Sequence, residues 1–170
     1  MEIRLAKKDD LPKLETMYKE IVAEMNNNNL FIWNEYYPYE EFEGDINANR
    51  LYIMIDKKQI LGAFALLDEI AGSQNFQWEK PTAKSMYIGR LGINVHYLRS
   101  GLGSKLLMFA KDIVKKSNAQ YLRLTVVNDN LPAIKLYNKN GFYNVAGTYN
   151  EFSETLNKTI SEIGFEFKLQ

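Results

Sequence analysis

The chain contains no cysteine and a single histidine, His96, among its 170 residues. Disulfides, thiolate metal sites and a cysteine nucleophile are thereby excluded, and one imidazole gives no basis for a histidine metal centre or a catalytic triad. An excess of either charge is missing too, since 21 lysines and arginines meet 21 aspartates and glutamates. That balance argues against a nucleic-acid binder working through bulk charge, although it leaves a local basic patch open. No apolar run of the ~18 residues that a membrane span needs occurs. The start, Met1-Glu2-Ile3-Arg4-Leu5, lacks the apolar core of a signal peptide. The expectation is a cytoplasmic protein with no membrane or nucleic-acid partner. Repeats, low-complexity tracts and linkers are also absent, so residues 1–170 are expected to form a single domain.

What is present is a hydrophobic fraction of 46%, enough for a folded core at this length. Ile3 to Ala6 reads as a short strand, and Asp9 or Asp10 stands where a helix N-cap belongs. Leu11, Leu14, Tyr18, Ile21, Val22 and Met25 then recur at helical spacing until Asn26–Asn29 breaks the helix. A shorter helix covers Glu40 to Ala48. Leu51–Ile55 and Ile60–Leu67 form a strand pair around the hairpin Asp56-Lys57-Lys58-Gln59. Residues 68–83 read as a polar loop containing Trp78. Lys84 to Val95 is a fourth strand, and Gly101 to Ser117 a helix with Leu102, Leu106, Phe109, Ala110, Ile113 and Val114 on its inner face. Tyr121–Val127 is continuously apolar enough for a central strand. A helix over Leu131–Asn140 follows, then strands at Tyr143–Tyr149 and Ile163–Leu169, with 150–162 unassigned between them. Hairpins early and β-α-β crossovers late make an α/β (α+β) fold: a mixed sheet with helices on both faces.

Two stretches carry chemistry. In the first, Tyr87-Ile88-Gly89-Arg90-Leu91-Gly92-Ile93-Asn94-Val95 feeds Leu98-Arg99-Ser100-Gly101-Leu102-Gly103-Ser104. A helix N-terminus leaves about four unpaired N–H groups and a dipole that favours anions, which suits a pyrophosphate. Gly101 and Gly103 let phosphate oxygens approach the backbone, Ser104 adds a hydroxyl and Arg99 a charge. A glycine turn that merely begins a helix is the plainer alternative. A dinucleotide fingerprint fits poorly because Leu106 stands where a third glycine is needed, and a P-loop is excluded because no Lys-Ser/Thr pair closes the motif. In the second stretch, Asn130 sits at an N-cap, Pro132 in the first turn and Gly141 past the C-terminus. Asn130 and Tyr137 fall on nearly the same face, roughly 10 Å apart at about 1.5 Å per residue. A tyrosine with a pKa near ~10 stays protonated at neutral pH and can give a proton to a thiolate leaving group. Its alternative roles are capping for Asn130 and packing for Tyr137.

With both stretches in hand, the chain resembles the GNAT superfamily of acetyl-CoA-dependent N-acetyltransferases. The likeness is carried by Gly101-x-Gly103 and by Tyr137-x-x-x-Gly141-Phe142, and covers about residues 50–149. The family's glycine motif opens with Gln or Arg, where this chain has Leu98; Arg99 is the neighbouring charge. The resemblance implies a mostly antiparallel sheet of about seven strands, with one parallel pair splaying at a bulge to form the coenzyme slot. It implies that the backbone of Ile93 and Val95 pairs with the pantetheine arm, and that Arg99, Ser100, Gly101, Leu102, Gly103 and Ser104 cradle the pyrophosphate. Asn130 would bind the pantetheine region, and Tyr137 would be the general acid that protonates the CoA thiolate.

The implied reaction is attack of a primary amine on the acetyl thioester, with no metal and with an amide near Ile93 stabilising the developing oxyanion. Family members often place a glutamate on the fourth strand; Tyr87, Gly89 and Arg90 stand there instead. Glu69, Glu79 or a water relay to a backbone carbonyl are the substitutes. Trp33, Tyr36, Tyr37 and Tyr39 are candidates to wall the acceptor channel, and Glu35, Glu40, Glu41 and Asp45 to attract a cationic amine, unless they are simply core and solvated face. His96 reads as a turn residue, not a ligand. The acceptor is a small molecule or a peptide, and a homodimer is an analogy from the superfamily. A CoA-responsive module without turnover and a transferase of a longer acyl group remain the competing readings.

Overall fold

The computed structural model describes residues 1–169. Its strands are β1 (Glu2–Leu5), β2 (Leu51–Asp56), β3 (Gln59–Leu67), β4 (Ser85–Ile93), β5 (Tyr121–Val127), β6 (Tyr143–Ser153) and β7 (Lys158–Lys168). Its helices are α1 (Leu11–Asn27), α2 (Tyr39–Asn47), α3 (Leu102–Lys116) and α4 (Leu131–Lys139). The strands pair in the order β1-β2-β3-β4-β5-β7-β6, and the β4–β5 pairing is parallel. The mixed sheet expected from the element order, mostly antiparallel as the resemblance implied, is therefore what forms. The parallel register runs only from Ser85↔Tyr121 to Tyr87↔Arg123, although both strands continue past it. The fold has two compact units, one of Met1–Leu66 with Gly89–Phe109, the other of Leu67–Ile88 with the chain from Ala110 onward.

In the first unit, the hairpin between β2 and β3 turns on Lys57 and Lys58, both at positive φ (45° and 72°), as a two-residue turn matched to strand twist demands. Of the stripe read from the sequence, Leu14, Tyr18 and Ile21 of α1 are buried and Leu11, Val22 and Met25 half-buried; Met17, outside that stripe, is buried as well. Gly92 of β4 lies beneath Tyr18, where a Cβ would come within 2.9 Å of the ring. The next side chain, Ile93, points the other way, to the side where Leu106 of α3 covers Gly62. Helices α1 and α3 thus occupy opposite faces of these strands. Strand β4 is bent at Arg90, whose φ of 55° departs from extended backbone. Asp10 does not cap α1. Residues Lys8–Asp10 form a 3₁₀ turn, and the Asp10 carboxylate instead accepts from the Lys7 amide (2.7 Å) and pairs with Arg4 (2.8 Å).

In the second unit, β5 is buried almost throughout, consistent with its apolar sequence. The segment 68–83 is less polar in effect than in composition. It folds back so that Phe76 and Trp78 are buried against Tyr87 and Val145. The Trp78 indole donates to the Ser73 carbonyl (2.9 Å) and stacks over the Arg123 guanidinium (4.7 Å). Arg123 is buried and paired with buried Glu166 (3.1 Å) across β5 and β7. Leu124 opposes Phe165 on the other face, where α4 packs through Tyr137 (ring centroids 6.2 Å). Residues 150–162, unassigned from sequence, are the far halves of β6 and β7. The hairpin pairs from Tyr149↔Glu162 to Ser153↔Lys158.

Candidate active site

The residues predicted for a coenzyme site fall into one group in each unit. The first group follows β4. Asn94 sends its amide to the Leu61 carbonyl of β3 (3.0 Å). Because antiparallel residues alternate between edges, the N–H and C=O of Ile93 point to the edge away from β3. Val95 departs from the expectation. Strand β4 ends at Ile93, and Val95 opens a 3₁₀ turn, Val95–Tyr97, that the Asn94 side chain caps by accepting from the His96 amide (3.1 Å). The turn geometry removes Val95 from the strand edge, two residues earlier than the apolar run suggested.

Beyond this turn, Arg99 (φ 60°) and Gly101 (φ 82°) are left-handed. Arg99, Ser100 and Gly101 are exposed, and the Ser100 hydroxyl donates to the Tyr97 carbonyl. A Cβ at Gly101 would meet nothing within 4 Å, so the position demands glycine for its backbone angle and leaves open space before the helix. Helix α3 begins at Leu102, and the Lys105 amide donates to the Gly101 carbonyl (3.2 Å). Among the described residues no group accepts from the amides of Leu102 and Gly103. Unpaired donors at a helix N-terminus beside an open glycine fit a diphosphate. Leu98 is 49% exposed and brings no charge to the turn.

The second group is α4. The Asn130 side chain accepts from the Ala133 amide (3.3 Å), so its oxygen caps the helix and its NH₂ is what remains for a ligand. Tyr137 is buried, with its ring against Phe142 and Phe165. Burial alone pushes its hydroxyl well above the ordinary tyrosine range. Among the described residues that hydroxyl has no hydrogen-bond partner, yet every fully enclosed side-chain nitrogen or oxygen has one. The ring is therefore enclosed while the oxygen at its tip stays accessible.

The carboxylates sort differently from their sequence reading. Asp45 is fully buried, with Nε and Nη2 of Arg90 each donating at 2.7 Å and Nε of Arg50 also at 2.7 Å. Enclosed and neutralised by two guanidiniums, it does not attract a cationic amine, a correction that the 45-residue separation from Arg90 hid from local pattern. Glu79 accepts from Tyr121 (3.0 Å), Tyr143 (2.9 Å) and Lys168 (2.9 Å), and the lysine, then the two phenols, hold it at about 2. Such a carboxylate is a poor base at neutral pH. Glu69, Glu35 and Glu40 are exposed and Glu41 is half-buried. Trp33 and Tyr37 are half-buried in a cluster with Tyr18 (5.5 Å from Trp33), while Tyr36 is 61% exposed. Tyr39 packs on Phe42. His96 is exposed and pairs with Glu20 (3.3 Å). One acid went unnoticed: Glu162, half-buried on β7, is hydrogen-bonded by Thr125 and pushed above the usual carboxylate range by burial. Its place within 150–162 concealed it. Among the described residues, no helix is long and apolar enough to cross a membrane.

Comparison with known proteins bears on the fold. A GNAT-family acetyltransferase from Streptococcus agalactiae superposes with a TM-score of 0.80 at 15% identity, covering 98% of this chain and 94% of that one. The ribosomal-protein-S18-alanine N-acetyltransferase of Escherichia coli gives 0.71 at 18% identity, covering 99% and 94%. The Salmonella typhimurium protein yncA, solved with its cofactor acetyl-CoA, gives 0.73 at 16% identity, covering 100% and 94%. At these identities the likeness is one of fold. No curated protein sequence matches. The sequence pattern of the acetyltransferase (GNAT) family matches residues 14–142, most of the chain and both glycine-bearing stretches, and the protein belongs to that family of acetyl-CoA-dependent acyltransferases.

Proposed function

We infer that the protein transfers an acetyl group from acetyl-CoA to a primary amine, with Tyr137 as general acid. The observation that carries this reading is the Tyr137 side chain: an enclosed ring, an accessible hydroxyl, and a pKa that burial keeps far above neutrality. A group so placed arrives protonated and has nothing among the described residues competing for its proton. When bound, acetyl-CoA supplies an activated thioester whose sulfur needs a proton as it departs.

The remaining roles follow the donors available. The amides at the start of α3, with Arg99, Ser100 and Ser104, bind the diphosphate; Gly101 keeps the approach open. Ile93 offers its outward N–H and C=O to the pantetheine amides, and a backbone amide near it donates to the developing oxyanion. The Asn130 NH₂ donates to the pantetheine region while its oxygen holds the cap. The amine comes from a small molecule or a peptide.

Tyr137→Phe tests the reading. It removes the proton and keeps the ring packing, so kcat should fall by about 10²–10⁴ while acetyl-CoA affinity by calorimetry stays within a few-fold. Unchanged turnover, with the chemical step shown to limit the rate, removes Tyr137 from the acid role. Saturable CoA binding without thiol release from any amine offered would favour a regulatory module instead.

A further inference from the structure

One buried acid has no role in the scheme so far. Glu162 sits directly across from Val127, the last residue of β5, three positions before the Asn130 cap of α4. Cross-strand partners share a face, so Glu162 lies with Thr125, Arg123 and Glu166. Tyr137 packs on Phe165, which belongs to the opposite face. The carboxylate therefore lies at the end of β5, on the face opposite the one that Tyr137 packs against.

Its surroundings leave the carboxylate usable. Arg123 is committed to Glu166 and to the Lys80 carbonyl (2.8 Å), and among the described residues no cation contributes to the shift at Glu162. On β5 it meets Thr125; on β6 it meets Tyr149, its direct partner, and Glu151, one pair further along the same face. Tyr149 is in turn held beneath Gly72 of the 68–83 segment, where a Cβ would come within 2.3 Å of the ring. Burial first, and Glu151 after it, raise the Glu162 pKa, with the Thr125 hydrogen bond opposing them. Among the described carboxylates with a resolved shift, Asp10, Asp56 and Glu79 are lowered and Glu162 alone is raised. A carboxylate raised in this way accepts a proton more readily than one lowered like Glu79.

We propose that Glu162 is the general base, held by Thr125 on the face of β5 opposite Tyr137, and that it receives the proton of the incoming ammonium. This rests on the acetyltransferase reading above. Glu162 takes one proton from nitrogen and frees its lone pair. The N–C bond forms and the C–S bond breaks with its electron pair on sulfur, which Tyr137 protonates. The second proton lost by nitrogen restores Tyr137, and Glu162 releases its own to solvent. An acidic, half-enclosed anion at this point also favours acceptors that arrive as cations.

The test compares wild type with Glu162→Gln and Glu162→Asp, using glycinamide at high concentration as the probe amine and free thiol as readout, across pH. Acetyl-CoA affinity by calorimetry should be the same in all three. The kcat/KM for glycinamide at neutral pH should drop by about 10²-fold or more in Glu162→Gln, with Glu162→Asp retaining part of the rate. The Gln deficit should shrink by roughly tenfold per pH unit as the amine deprotonates itself, since only loss of a base is repaired that way. A wild-type rate in Glu162→Gln, a deficit constant across pH, or lost acetyl-CoA affinity in the variant overturns the assignment. So does wild-type protein that binds acetyl-CoA yet acetylates none of the probe. Wild-type protein that binds no acetyl-CoA instead defeats the acetyltransferase reading itself, and the base with it.

Discussion

Removing the Asp45 carboxylate should strand one buried charge, and the cost can be worked from the geometry. Two guanidiniums share this acid, but only Arg90 is enclosed: its side chain is 6% exposed, against 39% for Arg50. In Asp45→Asn, Arg50 can turn to water, losing about 0–1 kcal/mol. Arg90 cannot, and an uncompensated buried charge costs about 3–5 kcal/mol. For a chain of this size each kcal/mol moves Tm by ~2–4 °C, so the melting temperature should fall by roughly 6–20 °C. Thermal and urea unfolding followed by circular dichroism measure both quantities. The companion experiment separates charge from packing: in Asp45→Leu with Arg90→Met the buried ions are gone, and stability should return to within about 2 kcal/mol of wild type. A single variant melting within a degree of the parent would refute the reasoning, as would a double variant no better than the single. Either result would mean that Arg90 reaches solvent or another anion when Asp45 is lost.

Two further outcomes test the site. Gly101→Val faces no steric neighbour but must hold a φ of 82°. It should cost about 1–3 kcal/mol of local strain and weaken CoA binding by about tenfold or more, read by calorimetry; undiminished affinity would separate the turn from the diphosphate. Glu79→Gln should leave the pH profile of turnover unaltered, because a carboxylate held at about 2 is ionised throughout the working range; a displaced acid limb would return it to candidacy as the base.

The readable parts of the fold were those where side chains face a core. The α1 stripe and the apolar run of β5 stand where periodicity put them, because burial had selected most of their residues. The outer halves of β6 and β7 did not announce themselves. Glu151, Phe152, Thr159 and Lys158 are exposed on a hairpin at the sheet edge, so backbone pairing alone specifies those strands. Glu162 was lost with them. The 68–83 segment has only Phe76 and Trp78 as apolar anchors among polar neighbours, too few to betray the cluster they enter. At the site, glycine spacing and the α4 cap were visible because they are local chemistry. The Asp45–Arg90 pair, the Arg90 bend and the triple hold on Glu79 join residues far apart in sequence, where no window of pattern reaches.

The strand order has a bearing on how the chain is made. Strand β7 is translated after β6 yet lies between it and β5. Until Lys168 has left the ribosome, β6 has no strand beside it, and the Glu166 carboxylate that meets Arg123 does not exist. At ~5–20 residues per second, α1 through β5 spend seconds as a nascent chain with an open edge and an unpaired interior arginine. Chaperone dependence, and sensitivity to pauses late in the message, should therefore concentrate in this second unit.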